Sequence, residues 1–317
     1  VSFLQAIVIG IIQGVAELFP VSSLGHTVII PAFIGGSWSK LVTQQASSES
    51  PYLAFVVGLH VATALALIAY FWRDWLRIVK GFFSSLRTRR AETADERAAW
   101  FIIVATIPVG ILGFTLEHQF RTLFAKPYVV ADFLAVNGLL LLTGEWLRRR
   151  ARARRALEPA LAVSAPAAPA ARPPEAGAPP VGEGDHDSEV LASLRLRDAV
   201  LVGFAQSSAL FAGISRDGVC MVTGLWRGLT YEDAARFAFL LSAPPILAAG
   251  ILKIPDLLGH LGNGIRGQVI AGSVAAFLMA LFSVRFLVRW FRTRGLVPFA
   301  CYCLALGVAG IAYFGIR

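Results

Sequence analysis

Charge is what this chain has least of. Only 15% of its 317 residues are Asp, Glu, Lys or Arg, where an ordinary soluble domain carries about 25%. With 56% hydrophobic residues and a mean hydropathy of +0.65, too little polar surface remains to coat a fold in water. Cysteine is scarce as well. Cys220, Cys301 and Cys303 show no metal-ligand spacing, and two of them sit inside one apolar run, so free buried thiols are expected and no disulfide framework. The sequence has no HExxH, no CxxC, no acidic cluster that could cage a metal and no Walker phosphate loop. Its first residues carry no Lys or Arg, and a cleavable signal peptide is not expected. A soluble globular protein, a disordered chain and a secreted disulfide scaffold are thereby excluded.

What the chain does have is long apolar runs. About 18 apolar residues cross the roughly 30 Å of bilayer hydrocarbon, and six blocks qualify as spanning helices: 51–71, 100–116, 128–147, 234–253, 267–288 and 296–316. Two further blocks, 2–34 and 198–226, are apolar but broken by Gly, Pro and Ser. Broken helices at membrane depth are tolerated only where protein or a water-filled cavity shields the backbone. Both blocks therefore read as re-entrant hairpins, and the expected fold is an all-α polytopic membrane protein of six transmembrane helices plus two such hairpins.

The net charge of +9 would point to nucleic acid in a soluble protein. Here the basic residues collect at the ends of apolar blocks, membrane lipid is the expected surrounding, and no nucleic-acid partner is expected. Twenty-two of the 29 Lys and Arg fall on one side of the six crossings. By the positive-inside rule that side is cytoplasmic and both termini lie outside. Residues 148–197 start Arg-rich and pass into an Ala/Pro/Gly tract that cannot bury a core, which predicts a disordered cytoplasmic linker. It divides a first membrane repeat, 1–147, from a second, 198–317.

The two halves resemble each other. A shift of 193 residues aligns Gly10 with Gly203, Gln13 with Gln206, Ala16 with Ala209, Ser22 with Ser215 and Gly25 with Gly218. The first hairpin enters from outside and the second from inside, so the repeat is inverted. Inverted repeats with broken helices place their site near the midplane, where half-helix N-termini face an anion.

The polar residues of the hairpins are the candidates for that site. Residues 10–26 read GIIQGVAELFPVSSLGH, with Gln13 and Glu17 four apart on one helix face. A carboxylate at this depth needs a partner, a proton or a cavity; it is either functional or bonded to backbone at the helix break. After Pro20, Ser22, Ser23 and His26 share a short turn whose hydroxyls, imidazole and amides suit an oxyanion. The second hairpin reads AGISRDG over 212–218, with Gly213 and Gly218 permitting close backbone approach. Arg216 suits a phosphate or carboxylate ligand, and the alternative is a salt bridge to Glu17 or Asp217. His60, alone on a spanning helix, is expected to serve as a helix–helix hydrogen-bond donor.

QGVAELFPVSSLGH and GISRDG, set in six spans and two broken hairpins, resemble the undecaprenyl-diphosphate phosphatase family of the bacitracin-resistance type. FAFLLSAPP at 237–245 resembles the segment that follows the family's second motif. The resemblance implies an enzyme of the bacterial plasma membrane that removes the terminal phosphate of undecaprenyl diphosphate at the outer face. The released carrier would be recycled for peptidoglycan and other envelope polymers. It further implies catalytic importance for Gln13, Glu17, Ser23 and His26, and diphosphate contact for Ser215 and Arg216. A divalent cation such as Mg2+ or Ca2+ would accompany the diphosphate, with no tightly bound cofactor and no metal ligands assigned. A second copy of the chain is compatible as a partner. Three positions depart from the family pattern: Ala212 stands for Pro, Asp217 for Ser and Cys220 for Thr.

On this reading Arg216 and the hairpin amides neutralise charge on the transferred phosphoryl group. Ser23 is the favoured nucleophile, with His26 as nearby base or acid and Glu17 orienting it or accepting a proton. Attack by His26 or by an activated water stays open, as does a lipid-phosphate carrier that binds without hydrolysis.

Overall fold

Twelve α-helices and no strand make up the described residues. The structure is a computed structural model of the chain, and it describes residues 1–45, 51–124, 126–162, 196–259 and 262–315. Six helices are long and apolar enough to cross a bilayer, in line with the six expected. These are α4 (Pro51–Tyr70), α6 (Ala94–Phe124), α7 (Pro127–Ala162), α10 (Tyr231–Leu258), α11 (Arg266–Thr293) and α12 (Val297–Gly315).

The remaining helices are shorter. The first broken block forms α1 (Phe3–Ala16) and α2 (Ser23–Ile34), followed by α3 (Gly36–Gln45). The second forms α8 (Leu196–Ser207), a short 3-10 turn at Ser208–Leu210, and α9 (Arg216–Trp226). At about 1.5 Å per residue, none of α1, α2, α8 or α9 reaches the roughly 30 Å needed to span. Each pair is interrupted where the sequence places Pro20 or Gly213.

The two interruptions are built alike. Ser22 caps α2 and its Oγ accepts a hydrogen bond from Gly25 N at 3.3 Å. Ser215 caps α9 and its Oγ accepts from Gly218 N at 3.1 Å. These caps satisfy first-turn amides that have no carbonyl partner within their own helix, and they fall on the residues that the 193-residue shift aligns.

Close packing also follows that alignment. α1 lies against α11, where a Cβ added to Gly10 would collide with Gly272 O and one on Gly14 with Ala276 O. α8 lies against α6, where a Cβ on Gly203 would come within 2.7 Å of Ala105 O. α7 pairs with α12 through Gly138, Gly307 and Gly310, and α4 pairs with α10 and α11. Small residues at these crossings let backbones approach, which is how helices associate where lipid is as apolar as the side chains.

Two stretches depart from expectation. The stretch between the first two expected spans, 72–99, contains α5 (Trp72–Thr88). Its Trp72, Leu76, Val79, Phe83 and Leu86 form an exposed apolar stripe at helical spacing, while Asp74, Ile78, Gly81 and Ser85 are buried. Such a helix suits the bilayer interface; its charges hid it from a reading that sought uncharged runs. The linker was expected from residue 148, yet α7 runs on to Ala162. Arg, Ala, Leu and Glu dominate that extension, and all are strong helix formers. The rest of the expected linker, 163–195, lies outside the described residues.

Gly10→Ala is predicted to lower the apparent melting temperature in detergent, because overpacking a helix contact costs about 1–3 kcal/mol. Gly110→Ala on α6, where the added Cβ meets nothing within 4 Å, is predicted to leave it level or raise it slightly. Equal effects of the two would contradict the α1–α11 contact.

Candidate active site

The two interruptions touch. Gly213 N donates to Ser22 Oγ at 3.1 Å, and a Cβ on Gly25 would lie 3.1 Å from Gly213 Cα. Gly213 has φ of +111° and a Cβ there would come within 2.6 Å of Val130 O, so both its conformation and its surroundings call for glycine. Ser22 itself has φ of +69°, a sparsely populated region for a residue with a side chain. Its hydroxyl oxygen accepts two amide hydrogen bonds, from Gly25 and Gly213, and that pair of hydrogen bonds holds it in place.

Asn137 of α7 ties the two tips from behind. Fully buried, it donates through Nδ2 to Pro20 O at 3.0 Å and accepts at Oδ1 from Ser215 N at 2.9 Å. One side chain thus satisfies a carbonyl of the first tip and an amide of the second, groups that would be expensive to leave unpaired away from water. Nδ2 also lies 3.3 Å from Cys303 Sγ.

In front of this junction lies a cavity of about 70 Å³. It is lined by Glu17, Ser22, Ser23, Leu24, His60, Ala209, Ile214, Ser215 and Arg216. Gln13 Nε2 donates to Glu17 Oε2 at 2.8 Å, and the Ser23 hydroxyl donates to the same carboxylate oxygen. Arg216 Nη1 stands 4.0 Å from Glu17 Oε1 and 3.3 Å from Ser242 O. His60 Nε2 is 3.3 Å from Glu17 Oε2. α2 begins at Ser23 and α9 at Arg216, so both helices start at the junction, where the positive ends of their dipoles lie.

Chemically, this is a hydroxyl held on a carboxylate, with a guanidinium and two helix N-termini beside it. Such a set can bind a small oxyanion, take a proton from the serine and stabilise charge on an attacked phosphoryl or acyl group. The volume is well below the roughly 300–1,000 Å³ of pockets that enclose whole drug-sized ligands. It suits an anionic head.

The expected site residues divide into three groups. Glu17, Ser22, Ser23, Ser215 and Arg216 come together at the cavity, with Gln13 bonded to Glu17 outside its lining and Gly213 in the junction behind it. His26 does not line the cavity. Its Nδ1 donates to Ser22 O at 2.7 Å and its Nε2 accepts from Tyr302 OH at 2.8 Å, with the two rings stacked. It braces the first tip. Asp217 is buried, accepting from Ser242 Oγ at Oδ1, with Oδ2 unpartnered. Cys220 packs in the main apolar core.

His60, Asn137, Ser242 and Tyr302 were missed or underrated. The usable signal was the same for each: a polar side chain inside an apolar span, where such groups are rarely idle. What periodicity could not supply was the direction each one faces.

Residues 6–309 match the family described as bacitracin resistance protein BacA. Over 340 aligned residues the chain is 53% identical to undecaprenyl-diphosphatase 2 of Frankia alni, covering 99% of this chain and 98% of the relative. It is also 53% identical to undecaprenyl-diphosphatase of Mycolicibacterium paratuberculosis, covering 100% and 98% respectively. A more distant relative, undecaprenyl-diphosphatase 2 of Chromobacterium violaceum, is 38% identical over 98% of both chains.

Asn137→Ala is predicted to lower the apparent melting temperature more than Asn137→Asp, since alanine strands both Pro20 O and Ser215 N while aspartate still accepts from Ser215 N. Each stranded buried group costs about 1–3 kcal/mol. Melting of both variants at the wild-type temperature would remove Asn137 as the tie between the tips.

Proposed function

The chain belongs to the bacitracin resistance protein BacA family, and from that premise we propose that it hydrolyses undecaprenyl diphosphate to undecaprenyl phosphate and inorganic phosphate. The products return the lipid carrier to peptidoglycan and envelope synthesis. The observation that carries the proposal is the Ser23 hydroxyl bonded to the Glu17 carboxylate, with Arg216 across the same small cavity. The relatives are named for hydrolysis, and nothing in the site favours a carrier without chemistry.

In this reading the diphosphate head enters the cavity while the prenyl tail stays among the spanning helices. Ser23 Oγ attacks the terminal phosphorus, and its proton passes to Glu17 as the new oxygen–phosphorus bond forms. The bond from that phosphorus to the bridging oxygen breaks, and undecaprenyl phosphate leaves with the electron pair. Arg216 and the first-turn amides of α2 and α9 offset charge on the phosphoryl oxygens. Water then cleaves the serine phosphate, with Glu17 returning a proton to Ser23. His26 supports this by position: bonding Ser22 O and Tyr302, it fixes the turn that carries Ser23, which favours Ser23 over His26 as the attacking group.

A resident metal does not fit these residues. Among the described residues no three His, Cys, Asp or Glu cluster to hold an ion, and both Glu17 oxygens already face protein donors. We derive no step through a metal; a divalent cation would come with the diphosphate as its counter-ion.

The Lys and Arg asymmetry supports placing both termini on the outer face of the plasma membrane, and the cavity is proposed to open to that same face. The inverted repeat is supported by the matching Ser22 and Ser215 caps and by the matching pairs α1–α11 and α8–α6. A second copy of the chain remains the proposed protein partner.

Phosphate release from undecaprenyl diphosphate by the purified chain in detergent tests the assignment. Ser23→Ala, Glu17→Gln and Arg216→Ala are each predicted to lower kcat by about 10²-fold or more. His26→Ala is predicted to fall less far. Substantial release by Ser23→Ala together with none by His26→Ala would reverse the nucleophile.

A further inference from the structure

His60 stands midway along α4, and its two ring nitrogens have different neighbours. Nδ1 lies 2.9 Å from Val56 O. A carbonyl oxygen can only accept, so Nδ1 carries the hydrogen. Nε2 is then the nitrogen that gains or loses a proton, and it faces Glu17 Oε2 at 3.3 Å. Without a proton between them, a ring lone pair and a carboxylate lone pair would oppose each other in a setting where Glu17 is only 7% exposed and His60 20%. With one proton the contact becomes a charge-assisted hydrogen bond. It joins two other donors on the same oxygen, Gln13 Nε2 and Ser23 Oγ.

We propose that His60 is a positioning residue for the reaction: it holds one proton shared with Glu17, and so keeps the carboxylate turned toward Ser23. This deepens the reading of Ser23 as nucleophile and Glu17 as its proton acceptor, and rests on it. When the shared proton is lost, the Nε2 lone pair repels Glu17 Oε2 and the carboxylate is no longer held on the serine hydroxyl. Activity then depends on a proton that no substrate atom carries.

The other charged groups around the pair are few. From α9, Arg216 faces the opposite carboxylate oxygen at 4.0 Å, and Asp217 follows it, held by Ser242. α10 packs Gly250 on Val61 and carries Lys253 one turn further on. α11 packs Val269 on Gly58 and has Arg266 at its start, bonded to Leu258 O. Arg216 and Arg266 keep their charge across the working range, and the His60 variants separate a proton on the His60–Glu17 pair from one on Asp217.

The test is the pH profile of phosphate release from undecaprenyl diphosphate by the full-length chain in detergent, for wild type, His60→Gln and His60→Ala, with Ser23→Ala alongside. Wild type is expected to lose rate on the alkaline side as the shared proton leaves. His60→Gln can still donate an N–H to Glu17 and has no proton to lose, so it is expected to keep most of its rate there. His60→Ala has no donor at any pH and is expected to be slower throughout, by about tenfold or more. An unchanged alkaline fall in His60→Gln, or a glutamine variant no better than alanine, overturns the proposal. Release by Ser23→Ala at the wild-type rate would instead overturn the underlying assignment, whatever the His60 profiles show.

Discussion

A broken helix inside a membrane exposes amides and carbonyls that water cannot reach, and two such breaks can complete each other. That constraint organises this molecule. The first tip offers Pro20 O and the Ser22 hydroxyl; the second offers Gly213 N and Ser215 N. Ser22 takes the Gly213 amide directly, and Asn137 joins Pro20 O to Ser215 N through one side chain. The first turns of α2 and α9 begin at this junction, with Gly25 N and Gly218 N capped by Ser22 and Ser215. The same backbone need that could have destabilised the fold thus joins its two tips beside the cavity.

The charges follow from this geometry. Glu17 sits where α1 stops, within reach of Arg216 on the other tip and His60 on α4. A buried ion pair alone is weak evidence for stability, yet here the carboxylate also receives Gln13 and Ser23 on Oε2, while Oε1 faces Arg216 at 4.0 Å. The departures from the family pattern lie behind this set. Asp217 turns to Ser242, and Cys220 lies in the apolar core. Ala212 is buried as well. None of the three lines the cavity, which leaves the hydroxyl, carboxylate and guanidinium complete.

Much of this was legible in the residue order. The six spans show as uncharged runs because lipid imposes length and apolarity directly. The two broken blocks show because Pro20, Gly213 and the Ser residues interrupt two runs at aligned positions. Glu17, Ser23 and Arg216 stand out as polar groups where hydrocarbon should be. Facing is another matter. His26 lies three residues from Ser23, close enough to suggest a catalytic pair, but the first turn of α2 points its ring at Tyr302 instead. His60 sits 43 positions from Glu17 and meets it only because α4 packs beside α1. α5 went unseen because an interfacial helix mixes Arg and Lys with its apolar stripe.

The most direct measurement is an experimental structure with a non-hydrolysable analogue of the lipid diphosphate bound. The account places the terminal phosphorus about 3–3.5 Å from Ser23 Oγ, the separation of atoms poised to react, with Arg216 and the α2 and α9 amides on its oxygens. A diphosphate bound away from the junction of the two tips, or tips that part when it binds, would contradict it.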